Sequence, residues 1–346
     1  MFESTFLGID VGTSAVKLVE LSENRGRIKV ENYGQVRTKA FYKEPMSFEK
    51  GSFVLSVEDI SKAIAAIVRE AGVKAKRANF SIPDFSTFFT SFELPPMSKD
   101  ELPEAIRFEA RQHVPLPMSE LTLDWSVVEG QYNQTRLKLL VVAIPERVVQ
   151  QYKEIASESN LKLSSLEAEA YSVARSLSGA SQKKMVALLD VGAQTTTINI
   201  VDHGTLKLSH SFDVSGNDFT QNIAKSLQLD YEEAEYFKQK YGIREEGKAI
   251  RKVLLPRLDL ITMELKKIMR RYQEDKEGST SKVLLAGGTA RMPGLKEYLS
   301  QELNQEVDVI SPFADLYYPS ILENRLEKLG PSFAVAVGLG IRGLTQ

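Results

Sequence analysis

Apolar and polar positions change rhythm several times along the chain, and each change predicts an element. Residues 6–21, FLGIDVGTSAVKLVEL, read as two apolar, partly β-branched segments around a tight turn, the pattern of a hairpin. Ser56 with Asp59 opens a helix whose apolar residues Ile60, Ala63, Ile64, Ile67, Val68 and Ala71 keep helical spacing until Gly72. From about residue 86 the texture shifts. TFFTSFELPPM reads as a strand, and Ser98 with Glu101 caps a helix running to about His113, with Pro103 moving its first turn to near Leu102. Strands at 121–129 and 136–145 and a helix at 146–158 complete a small α/β module.

The segment 185–201, MVALLDVGAQTTTINIV, repeats the opening hairpin. Asp190, Val191 and Gly192 fall where Asp10, Val11 and Gly12 stand, 180 residues earlier. Repetition of a loop at that distance predicts two similarly built domains facing one another. Helices are expected at 216–228, 231–241 and 247–275, the last kinked or broken at Pro256. A third Gly-rich turn in VLLAGGTARMPGLKEYL (283–299) joins a strand to a helix. The last helix, about 331–343, carries Ala334, Ala336, Gly338 and Gly340 and should pack closely on a neighbour.

At 346 residues there is room for two domains with cores of their own. Lys and Arg number 44 against 46 Asp and Glu, so the net charge of −2 supplies no long-range field to gather nucleic acid. No nucleic-acid partner is expected. Cysteine is absent, which excludes disulfides and thiolate chemistry, and His113, His203 and His210 have no metal-ligand spacing. No apolar run reaches the roughly 18 residues that span a bilayer. The opening MFESTFLGID lacks the basic and apolar regions of a signal peptide. The expectation is a cytoplasmic protein.

The turns carry the chemistry. A Gly in a tight turn lets a ligand approach, and successive backbone N–H groups then form a nest for phosphate oxygens. Gly12, Thr13 and Ser14 are candidates for that nest, with Lys17 on the return strand aimed at a phosphate. Gly192, Ala193, Gln194 and Thr195 occupy the equivalent place in the second hairpin. Asp10 and Asp190 would both face a polyphosphate, which repulsion forbids unless a cation lies between. Mg²⁺ suits them, because it takes one or two carboxylates, substrate phosphates and waters. Gly287 and Gly288 clear space for a nucleoside, and the helix after them offers its N-terminal dipole. Two matched turns followed by strand-Gly-Gly-helix predict nucleotide binding, with ATP and Mg²⁺ as ligands.

GIDVGTSAVKLVEL, LLDVGAQTTTINIV and LLAGGTARMPGL resemble the two phosphate motifs and the adenosine motif of the actin, sugar kinase and heat-shock chaperone superfamily. Outside them, IRFEARQHVPLPMSELTLDWSVVEG, LKLLVVAIPERVVQQY and AVAVGLGIRGL resemble the PilM family of type IV pilus assembly proteins across nearly the whole chain. That resemblance implies an α/β, actin-like ATPase fold of duplicated ribonuclease H-like domains, with an FtsA-like 1C insertion and two lobes around a nucleotide cleft. The implied divisions are 1A at 1–85, 161–186 and 331–346, 1C at 86–160, 2A at 187–215 and 281–330, and 2B at 216–280. By the same resemblance Asp10 and Asp190 are metal-side acids, and Gly287, Gly288 and Thr289 the adenosine loop. Glu235 and Lys238 in YEEAEYFKQKYG become nucleoside contacts. Glu167 is the first and Glu169 the second candidate for orienting an attacking water. The segment around residues 40–50 is longer than expected of the family and has no assigned role.

The implied function is a platform peripheral to the inner membrane, with weak or no ATPase activity. It recruits the N-terminal cytoplasmic tail of a PilN-like membrane protein into a groove between 1A and 1C, alongside other pilus inner-membrane platform proteins, with self-association a further expectation. Phe85, Phe88, Phe89, Phe92 and Leu94 lie in that region and read foremost as core strand. Two alternatives share the fold: a small-molecule kinase, for which no acceptor-side base is evident, and an FtsA-like filament-forming division protein. The latter is expected to carry a C-terminal amphipathic helix, whereas this sequence stops at RGLTQ.

Overall fold

A computed structural model describes residues 4–38, 56–177, 184–274 and 280–345. The unassigned stretch 40–50 lies outside the described residues. The first sheet has strand order β3-β2-β1-β4-β8: β1 (Ser4–Val11), β2 (Ala15–Asn24), β3 (Arg27–Arg37), β4 (Arg77–Ile82) and β8 (Lys162–Ala168). The second has the order β11-β10-β9-β12-β13: β9 (Val186–Val191), β10 (Thr196–Asp202), β11 (Thr205–Phe212), β12 (Val283–Ala286) and β13 (Val307–Val309). In each, three antiparallel strands are followed by two parallel ones.

The duplication extends into details. Arg25 and Gly26 link β2 to β3 with φ of 52° and 76°, and His203 and Gly204 link β10 to β11 with φ of 48° and 74°. Positive φ at both central residues matches the twist of a two-residue hairpin, and Gly supplies it without steric cost. A register irregularity follows in the same place, at Glu20/Leu21 and at Ile200/Val201. The turn between repeated strands is thus one local solution used twice.

Amphipathic helices seal each sheet. α1 (Val57–Glu70), capped by the Ser56 side chain accepting from the Asp59 N–H, buries Ile60, Ala63, Ile64 and Ile67. Beside it α3 (Glu146–Glu158) inserts Val148, Tyr152, Ile155 and Ala156 into the same core, where Tyr152 meets Phe80 edge-on at 6.2 Å. The small sheet, ordered β5 (Phe88–Leu94), β7 (Leu137–Pro145), β6 (Leu121–Glu129), is covered by α2 (Leu102–Ala110) through Leu102, Ile106 and Ala110. α3 thus packs on the first sheet, in a core that also takes Val142 and Ile144 of the strand before it. The Ser98–Glu101 pair closes on itself one turn before α2, and Pro103 stands in the first turn, where its missing N–H costs nothing. Phe92 and Leu94 go into the module core and Phe89 packs against the main cores, so this part of the aromatic run is core.

On the second sheet lie α5 (Gly216–Leu227), α6 (Tyr231–Tyr241), α7 (Lys248–Glu274) and α8 (Leu295–Leu303). α7 runs through Pro256 without a break, and Leu254, Leu258, Ile261 and Leu265 bury on either side of it. Between the two sheets cross α4 (Glu169–Arg175) and α9 (Glu323–Thr345). α9 begins a full two turns before Pro331, the residue that marked its expected start. Proline cannot bond the Glu327 carbonyl, and the Arg291 guanidinium donates to that carbonyl at 2.7 Å instead. Close crossing needs small residues: a Cβ at Gly338 would run into the Ser172 carbonyl, and one at Gly8 into the Ala336 carbonyl.

Candidate functional site

β1 and β2 pair Asp10 with Lys17, while β9 and β10 pair Asp190 with Thr197, so both turns open at the same end of their sheets. They face one another across a cavity of about 910 Å³. The Gly12 N–H donates to the Ala15 carbonyl at 3.1 Å, and the Gly192 N–H to the Thr195 carbonyl at 3.0 Å. Each glycine thus spends its own N–H on closing the turn. Among the described residues the Thr13 and Ser14 N–H groups reach no backbone carbonyl and are left to the cleft. Across the opening, the Thr13 hydroxyl donates to Gln194 Oε1 at 3.0 Å.

All the expected phosphate and adenosine residues line this cavity: Gly12, Thr13, Ser14 and Lys17 on one side, Gly192, Ala193, Gln194 and Thr195 opposite, and Gly287, Gly288 and Thr289 at one end. Gly287 has φ of 86°, and a Cβ there would strike the Asp190 carboxylate. The helix after this turn does not contribute its dipole as expected, because α8 begins only at Leu295, past Pro293 and Gly294. α5 is the helix that begins at the cleft. Its first N–H groups, of Gly216 and Asn217, donate to the Gly192 and Ala193 carbonyls and hold the second turn from behind.

Lys238 is nearly buried and donates to the Gly216 carbonyl at 2.9 Å and to Thr220 Oγ1 at 2.8 Å, with Glu235 at 2.7 Å. Its three protons are consumed, so it fixes α6 against the start of α5, and Glu235 is left as the more available of the two side chains. Asn217, Tyr231 and Gln239 also line this end and were missed in the sequence, where they carry no signal beyond ordinary helix polarity.

The floor is acidic. Asp10, 4% exposed, accepts from Lys17 at 3.0 Å and from Ser81 at 3.2 Å. Lys17, expected to meet phosphate, is thus ion-paired to Asp10. Burial pulls Lys17 down, but Asp10, Glu169 and Asp190 outweigh it and hold the ammonium above its usual range. Asp84, another residue missed in the sequence, accepts from the Thr197 hydroxyl of the opposite lobe at 2.5 Å. Burial, and then repulsion from Asp10, push Asp84 up to about 6. Asp190 is pushed up to about 7 by burial and then by Asp84 and Asp10. Glu169 lies well above the ordinary carboxyl range through burial and the charges of Asp84, Asp10 and Asp190. Lys17 is paired to Asp10, and the other three carboxyls are left buried without a counter-charge of their own. Even so, among the described residues no group of three or more His, Cys, Asp or Glu could hold a metal by itself.

The two acid candidates are placed differently, Glu167 away from the cleft and Glu169 at it. The Glu167 carboxylate is held by Arg175 at 2.5 and 2.7 Å, by Ser172 at 2.7 Å and by Arg342 of α9. Glu169 lines the cavity, its carboxylate accepting from the Asp84 N–H at 3.2 Å.

The profile of the family described as type IV pilus assembly protein PilM matches residues 8–344. The chain belongs to that family. Among solved structures, a PilM-PilN type IV pilus biogenesis complex superposes with a TM-score of 0.84 at 24% identity, over 98% of each chain. MreB 5 of Spiroplasma citri, bound to AMPPNP, gives 0.56 at 14% identity over 97% of this chain and 95% of that one. The cell division protein FtsA of Enterococcus faecalis is 19% identical over 86% of this chain and 76% of its own. The fold of this PilM family member is accordingly the actin-like one, two related lobes around a cleft. No helix among its described residues is long and apolar enough to cross a membrane.

Proposed function

We propose that this PilM family member is a cytoplasmic, ATP-loaded platform that recruits the N-terminal cytoplasmic tail of a PilN-like inner-membrane protein. The observation that carries the nucleotide reading is the pair of matched turns, joined by Thr13 and Gln194 above a floor of uncompensated carboxylates. Thr13 and Ser14 donate to phosphate oxygens, Gly287 and Gly288 admit the nucleoside, and Glu235 faces its sugar side. Asp10 and Asp190 are the residues that hold Mg²⁺ together with the phosphates. Bound there, the ion supplies the positive charge that the acid excess and a triphosphate both require. MreB 5 with AMPPNP on the same fold supports a nucleotide in this place.

Glu169 is the residue here that orients water, and its buried setting makes hydrolysis slow. Recruitment rests on family membership and on the likeness to the PilM-PilN complex. The inserted module with its small sheet, beside the first lobe, is the region that takes the extended tail. Calorimetry with MgATP tests the site: Asp10→Asn, Asp190→Asn and Lys17→Ala should each weaken binding, and unchanged affinity in all three refutes it. Co-purification with the membrane protein's cytoplasmic peptide, with mass spectrometry of the retained nucleotide, tests the platform. Rapid phosphoryl transfer to a small acceptor would overturn it in favour of a kinase.

A further inference from the structure

β3 ends where the first phosphate turn begins. Ala15 pairs with Arg37 and Lys17 with Gln35, so Gln35 and Arg37 stand on one face of the sheet beside Lys17 and line the cavity with it. One residue further, buried Thr38 is stitched to the turn twice. Its N–H donates to the Ser14 carbonyl at 3.1 Å and its hydroxyl to the Thr13 carbonyl at 2.8 Å. The Thr13 and Ser14 carbonyls are thereby satisfied by Thr38, and the N–H groups of the same two residues are left to the cleft.

Arg37 is placed differently from the other cations of the cavity. Lys17 is bound to Asp10, Lys238 to Glu235, and Arg291 to Glu327. The exposed Arg37 guanidinium has no hydrogen-bond or ion-pair partner among the described residues. The 287–289 turn and α6 line the second-lobe wall, and β3 the first-lobe wall. We infer that Arg37 reads the terminal phosphate of a nucleoside triphosphate, with Thr38 as the positioning residue that keeps the turn's donors inward. This inference rests on the nucleotide reading above. A planar guanidinium suits the task, because it pairs with two oxygens of a phosphate that a diphosphate lacks.

The test is calorimetry of MgATP and MgADP with wild type, Arg37→Ala and Arg37→Lys. The expected result is that Arg37→Ala loses about 10- to 100-fold in ATP affinity while ADP affinity stays within about twofold, the size of one hydrogen-bonded charge contact. Arg37→Lys should recover part of the loss. Thr38→Val should weaken both nucleotides alike and lower the melting temperature in their absence only slightly, as the loss of one side-chain hydrogen bond does. An unaltered ATP-to-ADP ratio in Arg37→Ala, or a wild type that never distinguishes the two, overturns the inference while leaving the nucleotide site standing. A wild type that binds neither nucleotide sinks both.

Discussion

Glu167 and Glu169 stand two residues apart and live in opposite electrostatic worlds. Glu167 is buried between α4 and α9 with two guanidiniums and a hydroxyl on its oxygens, and these overcome the cost of burial to hold its carboxyl below the ordinary range. Glu169 is buried on the cleft floor among Asp84, Asp10 and Asp190, and burial and repulsion act together to raise it. The first carboxylate is fully compensated and holds structure together. The second is compensated only when positive charge arrives from outside, and that unmet demand is what distinguishes a binding floor from a structural ion pair.

The contrast can be broken first at its structural end. Glu167→Ala leaves Arg175 and Arg342 facing each other without their shared anion and should cost about 3 kcal/mol, read by urea denaturation. Asp190→Asn should behave oppositely: the fold keeps its stability without cation, because the buried carboxyl has no counter-charge to lose, while MgATP affinity falls about tenfold or more. A stability loss like that of Glu167→Ala would erase the distinction.

Titration sharpens it. Asp84 and Asp190 keep their protons in the folded chain up to about 6 and 7, against 3.8 for an unperturbed group. Between those limits the unfolded chain binds fewer protons, so the stability of the nucleotide-free protein in chelator should fall as pH rises from about 4 to about 7. Glu167 has the reverse sign, its contribution being present above its unfolded value of 4.5 and lost on acidification below it. Melting temperatures at pH 5 and 7.5, with and without MgATP, check the first trend; a rise with pH in chelator would contradict it. The smallest effect is expected of Thr197→Val, which removes one cross-lobe donor to Asp84 and should cost about 1 kcal/mol.

The choice between the two glutamates shows where the sequence stops informing. LSSLEAEAYSVAR contains both, and nothing local marks Ala168 as the end of β8 and Glu169 as the first residue of α4. That boundary sends the two side chains to different places. The hairpin turns were legible because a turn between two apolar segments is a local event, and its repetition 180 residues on could be read directly. Asp84, Arg37 and Thr38 were not, since their roles depend on which strands meet and in what register. The start of α9 was misplaced for a related reason: Pro331 looks like a first-turn proline until Arg291, 40 residues earlier, is seen to take the carbonyl it leaves unbonded.

Gly338 sets a dimension of the layer between the sheets. Because even a methyl group there would collide with the Ser172 backbone, the spacing of α4 and α9 where they cross is dictated by a hydrogen atom. Any bulkier residue would act as a wedge between the two helices, away from the turns that line the cleft.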